Sequence, residues 1–200
     1  MEKTSKRLIG LTGGIATGKT TVSRYLVDTY HLPVFDADIY AREAVNVNSP
    51  IFQAIIKRYG EIICLENHEL NRQKLGEIIF NDLGEKQWLE SQIHPYVRQR
   101  FREEIEGSDA PVILLDIPLL FESNLTHLVT ETWVVYCSSE QQLRRLIERN
   151  NLTQKQAIAR INSQLPLEEK VKMADLILDN SSTLAHLYQQ IDEALIINNY

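Results

Sequence analysis

Within the stretch "GGIATGKTT", Gly13, Gly18, Lys19 and Thr20 stand in the spacing G-x-x-x-x-G-K-[ST], directly after the apolar run "RLIGLT" and ahead of a segment with helical periodicity. The two glycines let the backbone turn tightly enough to aim successive N–H groups at phosphate oxygens. A helix starting near Lys19 adds the positive end of its dipole. Gly13, Gly14, Ile15, Ala16, Thr17, Gly18, Lys19, Thr20 and Thr21 are therefore the expected phosphate-cradling residues. Lys19 would reach the β- and γ-phosphates of a nucleoside triphosphate, and the Thr20 hydroxyl would take a magnesium ligand position. A glycine-rich turn without a ligand is the bland alternative, and the strand before the loop and the helix after it argue against that.

The loop leaves the reaction open, because GTPases, ATP-driven motors and small-molecule kinases share it. Neither a D-x-x-G switch motif nor N-K-x-D for guanine is present, and 200 residues leave no room for the partner domain of a motor. Three further groups bear on the chemistry. In "FDADIYARE", Asp36 and Asp38 would share one face if both lay on a strand, and a carboxylate there can take the proton of an attacking hydroxyl or help hold magnesium. The alternative is that one of them caps the helix that follows. Arg42, one turn beyond Asp38, is a candidate clamp for an anionic acceptor.

Asp116 ends the apolar run "VILLD" in the manner of a Walker B acid, which places it with the metal and beside the acceptor. The alternative is that it caps its loop. In "QLRRLIERN", Arg145 and Arg149 are four residues apart on one helix face, and Arg160 follows in "ARINSQ". Such arginines are commonly a solvated face. Between the last two strands, where nucleotide kinases carry a lid, they would stabilise charge on a phosphoryl group in transfer.

The elements that must position these groups are short. Arg7 to Thr12, Leu32 to Ala37, Pro111 to Asp116, Thr132 to Cys137 and Asp175 to Asp179 read as strands, and several lack polar alternation, as strands buried on both faces do. Thr20 to Tyr30, Ser139 to Asn150 and Thr183 to Ile197 read as helices, and Thr153 could cap a short one. The interval from Ile39 to Gly107 reads as helix after helix, with Pro95 expected to kink or divide one of them. The expected fold is α/β: a phosphate-loop domain with a five-stranded, mainly parallel sheet flanked by helices, interrupted by two helical excursions. Its core spans 1–38, 108–149 and 173–200, with a helical acceptor-binding insertion at 39–107 and a small helical lid at 150–172.

Composition narrows the partners. With 21 Lys and Arg against 27 Asp and Glu, the net charge of -6 argues against a broad nucleic-acid footprint. The basic N-terminus lacks a signal-peptide core, and no run approaches the ~18 apolar residues of a membrane span. A cytoplasmic protein, taken as a monomer, is expected. Cys64 and Cys137 fit no metal or redox spacing and read as small buried hydrophobes.

Taken together, the chain resembles the dephospho-coenzyme A kinase family from "IGLTGGIATGKTTV" to its last helix. The resemblance is carried by "DADIYARE", "IHP", "DIPLLFE", "QLRRLIERN", "ARINSQ" and "ADLILDNS". It implies transfer of the γ-phosphoryl group of ATP, with magnesium, to the ribose 3'-hydroxyl of dephospho-coenzyme A, the last step of coenzyme A synthesis. It also implies Asp38 as general base, Asp36 and Arg42 on the acceptor, Arg145 and Arg149 on ATP, and His94 on the acceptor surface or at a helix break. The chain departs from the family where Ala16-Thr17-Gly18 replaces the usual Gly-Ser-Gly, and where Asn150 stands in place of a frequent Asp.

Overall fold

The computed structural model describes residues 6–197. Residues 1–5, which open the basic N-terminal stretch, and 198–200, which close the expected core, lie outside the described residues. Chain contacts divide the molecule into two compact units, one of residues 1–35 and 109–200, the other of 36–108.

The first unit is built on a parallel sheet. Its strands are β1 (Arg7–Gly13), β2 (Val34–Asp36), β3 (Val112–Asp116), β4 (Glu131–Tyr136) and β5 (Leu176–Asp179), in the order β2-β3-β1-β4-β5. The register sets Leu11 beside Asp116 on one side of β1 and Gly13 beside Val135 on the other. In β1, β3 and β4 consecutive residues are buried, which is why their sequences are apolar without alternation. Helix α1 (Lys19–Tyr30) supplies Val22 and Leu26 to a core with Ile9, Leu11, Leu114, Trp133, Val135 and Leu178. Helix α9 (Leu184–Ile197) adds Leu187 and Ile191 to it. Each of these side chains gains roughly 1.5–3 kcal/mol from leaving water.

After β4 comes α6 (Ser139–Asn150), opened by a reciprocal capping box between Ser138 and Gln141. A second box between Thr153 and Gln156 opens α7 (Gln154–Asn162), so Thr153 caps a short helix as its sequence position predicts. The excursion closes with α8 (Leu167–Lys172), which packs against β4.

The second unit is helical and has its own core. It contains α2 (Ala37–Ala44), α3 (Pro50–Tyr59), α4 (Arg72–Asn81) and α5 (Leu83–Gly107). Ala44, Val45, Phe52, Ile55, Ile63, Leu70, Leu75 and Leu89 are buried together. Arg58 pins α3 to α5 by a paired contact with Glu85 at 2.6 and 2.8 Å and by stacking its guanidinium over the Trp88 ring.

One sequence expectation is narrowed and another needs correction. Of the kink or division expected at Pro95, division does not occur, because α5 runs through it without interruption. Pro95 and Ser91, whose carbonyl loses the i+4 donor, are both exposed, so that carbonyl can turn to water. Cys137 is buried as expected, whereas Cys64 is only half-buried.

Candidate active site

The phosphate loop lies between the end of β1 and the start of α1. Gly18 caps α1 at φ 106, a conformation only glycine adopts without strain, and a Cβ there would run into the Asn180 amide. Ala16 sits at φ 63, also left-handed, although it carries a methyl group. Thr17 closes the turn by donating from its N–H and its hydroxyl to the Gly14 carbonyl, at 3.2 and 2.9 Å. The N–H groups of Ala16, Gly18, Lys19 and Thr20 make no hydrogen bond to another described residue. They are the donors a phosphate would meet.

Several side chains hold this loop from behind, and the sequence reading singled out only one of them. Arg145, on α6, donates to the Thr17 carbonyl at 3.4 Å and to the Asn180 carbonyl at 3.0 Å. Asn180, just past β5, donates to the same Thr17 carbonyl at 2.8 Å. Gln142 donates to the Ile15 carbonyl at 2.9 Å, and Gln164 accepts from the Ile15 N–H at 2.8 Å, so Ile15 is clamped on both its polar groups. The signal for Gln142, Gln164 and Asn180 was their place in "QLRRLIERN", "ARINSQ" and "ADLILDNS".

Lys19 and Asp116 are paired through Nζ and Oδ1. Asp116 is 4% exposed, at the end of β3 and beside Leu11 in register. The ammonium expected at the phosphates is thus held by the carboxylate expected at the metal. Thr20 is exposed on the first turn of α1. Arg149 is exposed at the far end of α6, where its Nε donates to the Asn150 side chain at 2.9 Å. The residue that departs from the family pattern therefore pairs with Arg149 through its amide oxygen. Arg160 is exposed on α7.

In the second unit, Asp36 and Asp38 do not share a strand face. Asp36 is the N-cap of α2 and accepts from the N–H groups of Asp38 and Ile39 at 2.7 and 3.4 Å, while Asp38 lies in the first turn of the helix. Of the two readings the sequence leaves open, the cap is the one adopted, and its cause is plain: an Asp followed by a helix-forming run satisfies orphan N–H groups better as a cap than as the next strand residue. Asp38 and Arg42, one helical turn apart, line one cavity of about 380 Å³ together with Val45, Arg72, Leu75 and Ile93. Arg72, which the sequence reading passed over, adds a second guanidinium there and donates to the Arg42 carbonyl at 3.1 Å. His94 is half-buried on α5 and is not among the residues lining this cavity. Burial holds its imidazole below the ordinary range; Glu90 opposes this and Arg98 adds to it.

The first unit therefore offers a ring of backbone donors backed by a lysine and a buried carboxylate, and the second a carboxylate and two arginines around a cavity. A dephospho-CoA kinase family model matches residues 7–186. A dephospho-CoA kinase of Trichormus variabilis is 61% identical over 191 residues, covering 96% of this chain and 97% of its own. Among solved structures, a Thermus thermophilus protein superimposes with a TM-score of 0.84 at 31% identity, over 98% of this chain and all of its own. A dephospho-CoA kinase from Campylobacter jejuni gives 0.72 at 28% identity, over 96% of both chains.

Proposed function

Given that this chain belongs to the dephospho-coenzyme A kinase family, and so phosphorylates dephospho-coenzyme A with ATP in coenzyme A synthesis, we propose that Asp38 is its general base. Arg42 and Arg72 would hold the acceptor, and the loop Gly13 to Thr21 would hold the ATP phosphates. The observation that carries this reading is the shared cavity of Asp38 and Arg42, since a base and an anion clamp one turn apart are what an acceptor bearing both a hydroxyl and phosphates requires. No finding favours another acceptor or a nucleotide binder without chemistry.

In the proposed mechanism the ribose 3'-hydroxyl oxygen attacks the γ-phosphorus, the bond from that phosphorus to the β–γ bridging oxygen breaks, and ADP carries the electron pair away. The hydroxyl proton passes to the Asp38 carboxylate. The N–H groups of Ala16, Gly18, Lys19 and Thr20, with the Lys19 ammonium, meet charge on the phosphate oxygens, and Arg145 keeps the loop in shape through the Thr17 carbonyl. An oxygen donor set of Thr20 and Asp116, completed by phosphate oxygens, fits magnesium, which takes few protein ligands in such sites. When bound, the ion would neutralise charge on those oxygens. Among the described residues no cluster of three His, Cys, Asp or Glu could hold an ion unaided. Asp36 acts on the acceptor side through the helix it caps, Arg149 belongs to the lid over ATP, and His94 lies outside the acceptor cavity. Residues 39–107 form the acceptor-binding part and 150–172 the lid of this cytoplasmic enzyme. No helix among the described residues is long and apolar enough to cross a membrane.

The test is ADP release from ATP with dephospho-coenzyme A, nucleosides, nucleoside monophosphates and shikimate as acceptors. Turnover is expected with dephospho-coenzyme A, and turnover with another acceptor alone would reject the reading. In the same assay Asp38→Asn should lose about 10²–10⁴ in kcat while ATP affinity stays within about twofold, because the proton is taken only in the transition state. Near-normal turnover in that variant removes Asp38 from the role.

A further inference from the structure

Lys170, on α8, is fully buried, and a buried ammonium is costly unless every donor it carries is met. Its Nζ has three acceptors: the Glu122 carboxylate at 2.8 Å, the Gly13 carbonyl at 3.2 Å and the Pro118 carbonyl at 3.2 Å. An ammonium has three donors, so the site is saturated. The three acceptors belong to different parts of the catalytic framework. Gly13 is the first residue of the phosphate loop. Pro118 lies two residues beyond Asp116, and its carbonyl also accepts from the Thr12 hydroxyl at 3.0 Å. Glu122 in turn accepts from the Leu165 N–H at 3.0 Å, one residue after the Gln164 that clamps Ile15.

From this geometry we infer that Lys170 is a positioning residue for phosphoryl transfer, one that fixes the start of the phosphate loop against the segment carrying Asp116, and both against the base of the lid. The inference rests on the kinase reading above. Stability alone is a poor account of such a group, because well-packed apolar side chains commonly replace buried ion pairs without loss. A lysine whose three donors are spent on two backbone carbonyls and one carboxylate ties the loop start and the segment after Asp116, already joined to each other by the β1–β3 register and the Thr12–Pro118 hydrogen bond, to α8 and through Glu122 to Leu165.

The kinetic signature follows from which contacts Lys170 makes and which it leaves to others. The loop beyond Gly14 is held independently by Gln142, Gln164, Asn180 and Arg145, so ATP should still bind without Lys170. What loosens is the anchorage of Gly13 and of the segment after Asp116 to α8, and that anchorage matters most while the γ-phosphoryl group is in flight. Misplacement of reacting groups by about 1 Å can cost on the order of a hundredfold.

The experiment measures kcat, KM for ATP and binding of a fluorescent ATP analogue for Lys170→Met, Lys170→Arg and Glu122→Gln, with the folded fraction taken from circular dichroism. Lys170→Met is expected to lose about 10- to 100-fold in kcat with KM for ATP within about threefold, and Lys170→Arg to recover most of that loss. If Lys170→Met does not fold, Glu122→Gln, which keeps an oxygen for Leu165 but removes the charge, decides: a loss of threefold or more in kcat is expected. A folded Lys170→Met or Glu122→Gln with kcat less than threefold below the parent overturns the inference, as does a loss of ATP affinity that matches the loss of kcat. A parent protein that turns over a different acceptor would overturn the earlier reading instead, and the variants would then be compared on that acceptor.

Discussion

Ala16 is the residue at which the sequence of the loop and its geometry pull against each other. Its backbone takes φ 63, where an L-residue pays about 1–2 kcal/mol that glycine does not. Ala16→Gly removes that strain but gives the unfolded chain more freedom, worth about 0.4–1 kcal/mol. The net expectation is a gain of about 0.5–1 kcal/mol, which in a chain of this size raises the melting temperature by about 1–4 °C. Calorimetry of the two proteins checks it, and a lower melting temperature in the glycine variant would show that the methyl makes contacts worth more than the strain. The alanine was legible in the sequence as a departure at a turn. Its positive φ was not, because the angle is imposed by Gln142, Gln164 and the Thr17 turn around it.

Among the elements, α2 shows how a short helix can do what a strand end was expected to do. Asp36 caps it, and capping fixes where Asp38 and Arg42 project. Asp36→Ala should cost about 1 kcal/mol, the usual worth of such a cap, whereas Asp36→Asn keeps an oxygen acceptor and should stay within about 0.5 kcal/mol of the parent. If Asp36 also contributes charge on the acceptor side, Asp36→Asn raises KM for dephospho-coenzyme A without altering that for ATP. Equal KM values in parent and Asn variant would confine Asp36 to the cap. The strand-to-helix change at Asp36 was visible in sequence as one of two readings, since "DAD" before "IYAREA" satisfies both patterns. Only the backbone angles distinguish them. Helix α5 makes the same point at Pro95, where the sequence leaves a kink and a break open and the structure shows no break.

At the scale of the whole molecule, the two units have separate cores and one tryptophan each, Trp133 at 0% exposure in the sheet unit and Trp88 packed against the helical core. The phosphate loop belongs to the first unit alone, so an ATP analogue should stabilise that unit by its binding free energy and leave the other nearly where it was. Trp88→Phe isolates the Trp133 signal. In urea its transition should move to higher midpoint with the nucleotide, by about 2.7 kcal/mol at a hundredfold excess over the dissociation constant, while the Trp88 difference signal shifts little. Coincident shifts in both signals would mean the units unfold as one. By itself the sequence determined that a phosphate loop follows a buried strand, that a run of helices separates the second strand from the third, and which family the motifs belong to. These are local or periodic facts, set by glycine spacing, apolar runs and caps. Tertiary structure alone decided that Lys170 meets Glu122 beside the loop, that Gln142 clamps Ile15 and that Arg72 joins Asp38 and Arg42 at one cavity, because their partners lie far away in the chain and a buried charge declares itself only through what surrounds it.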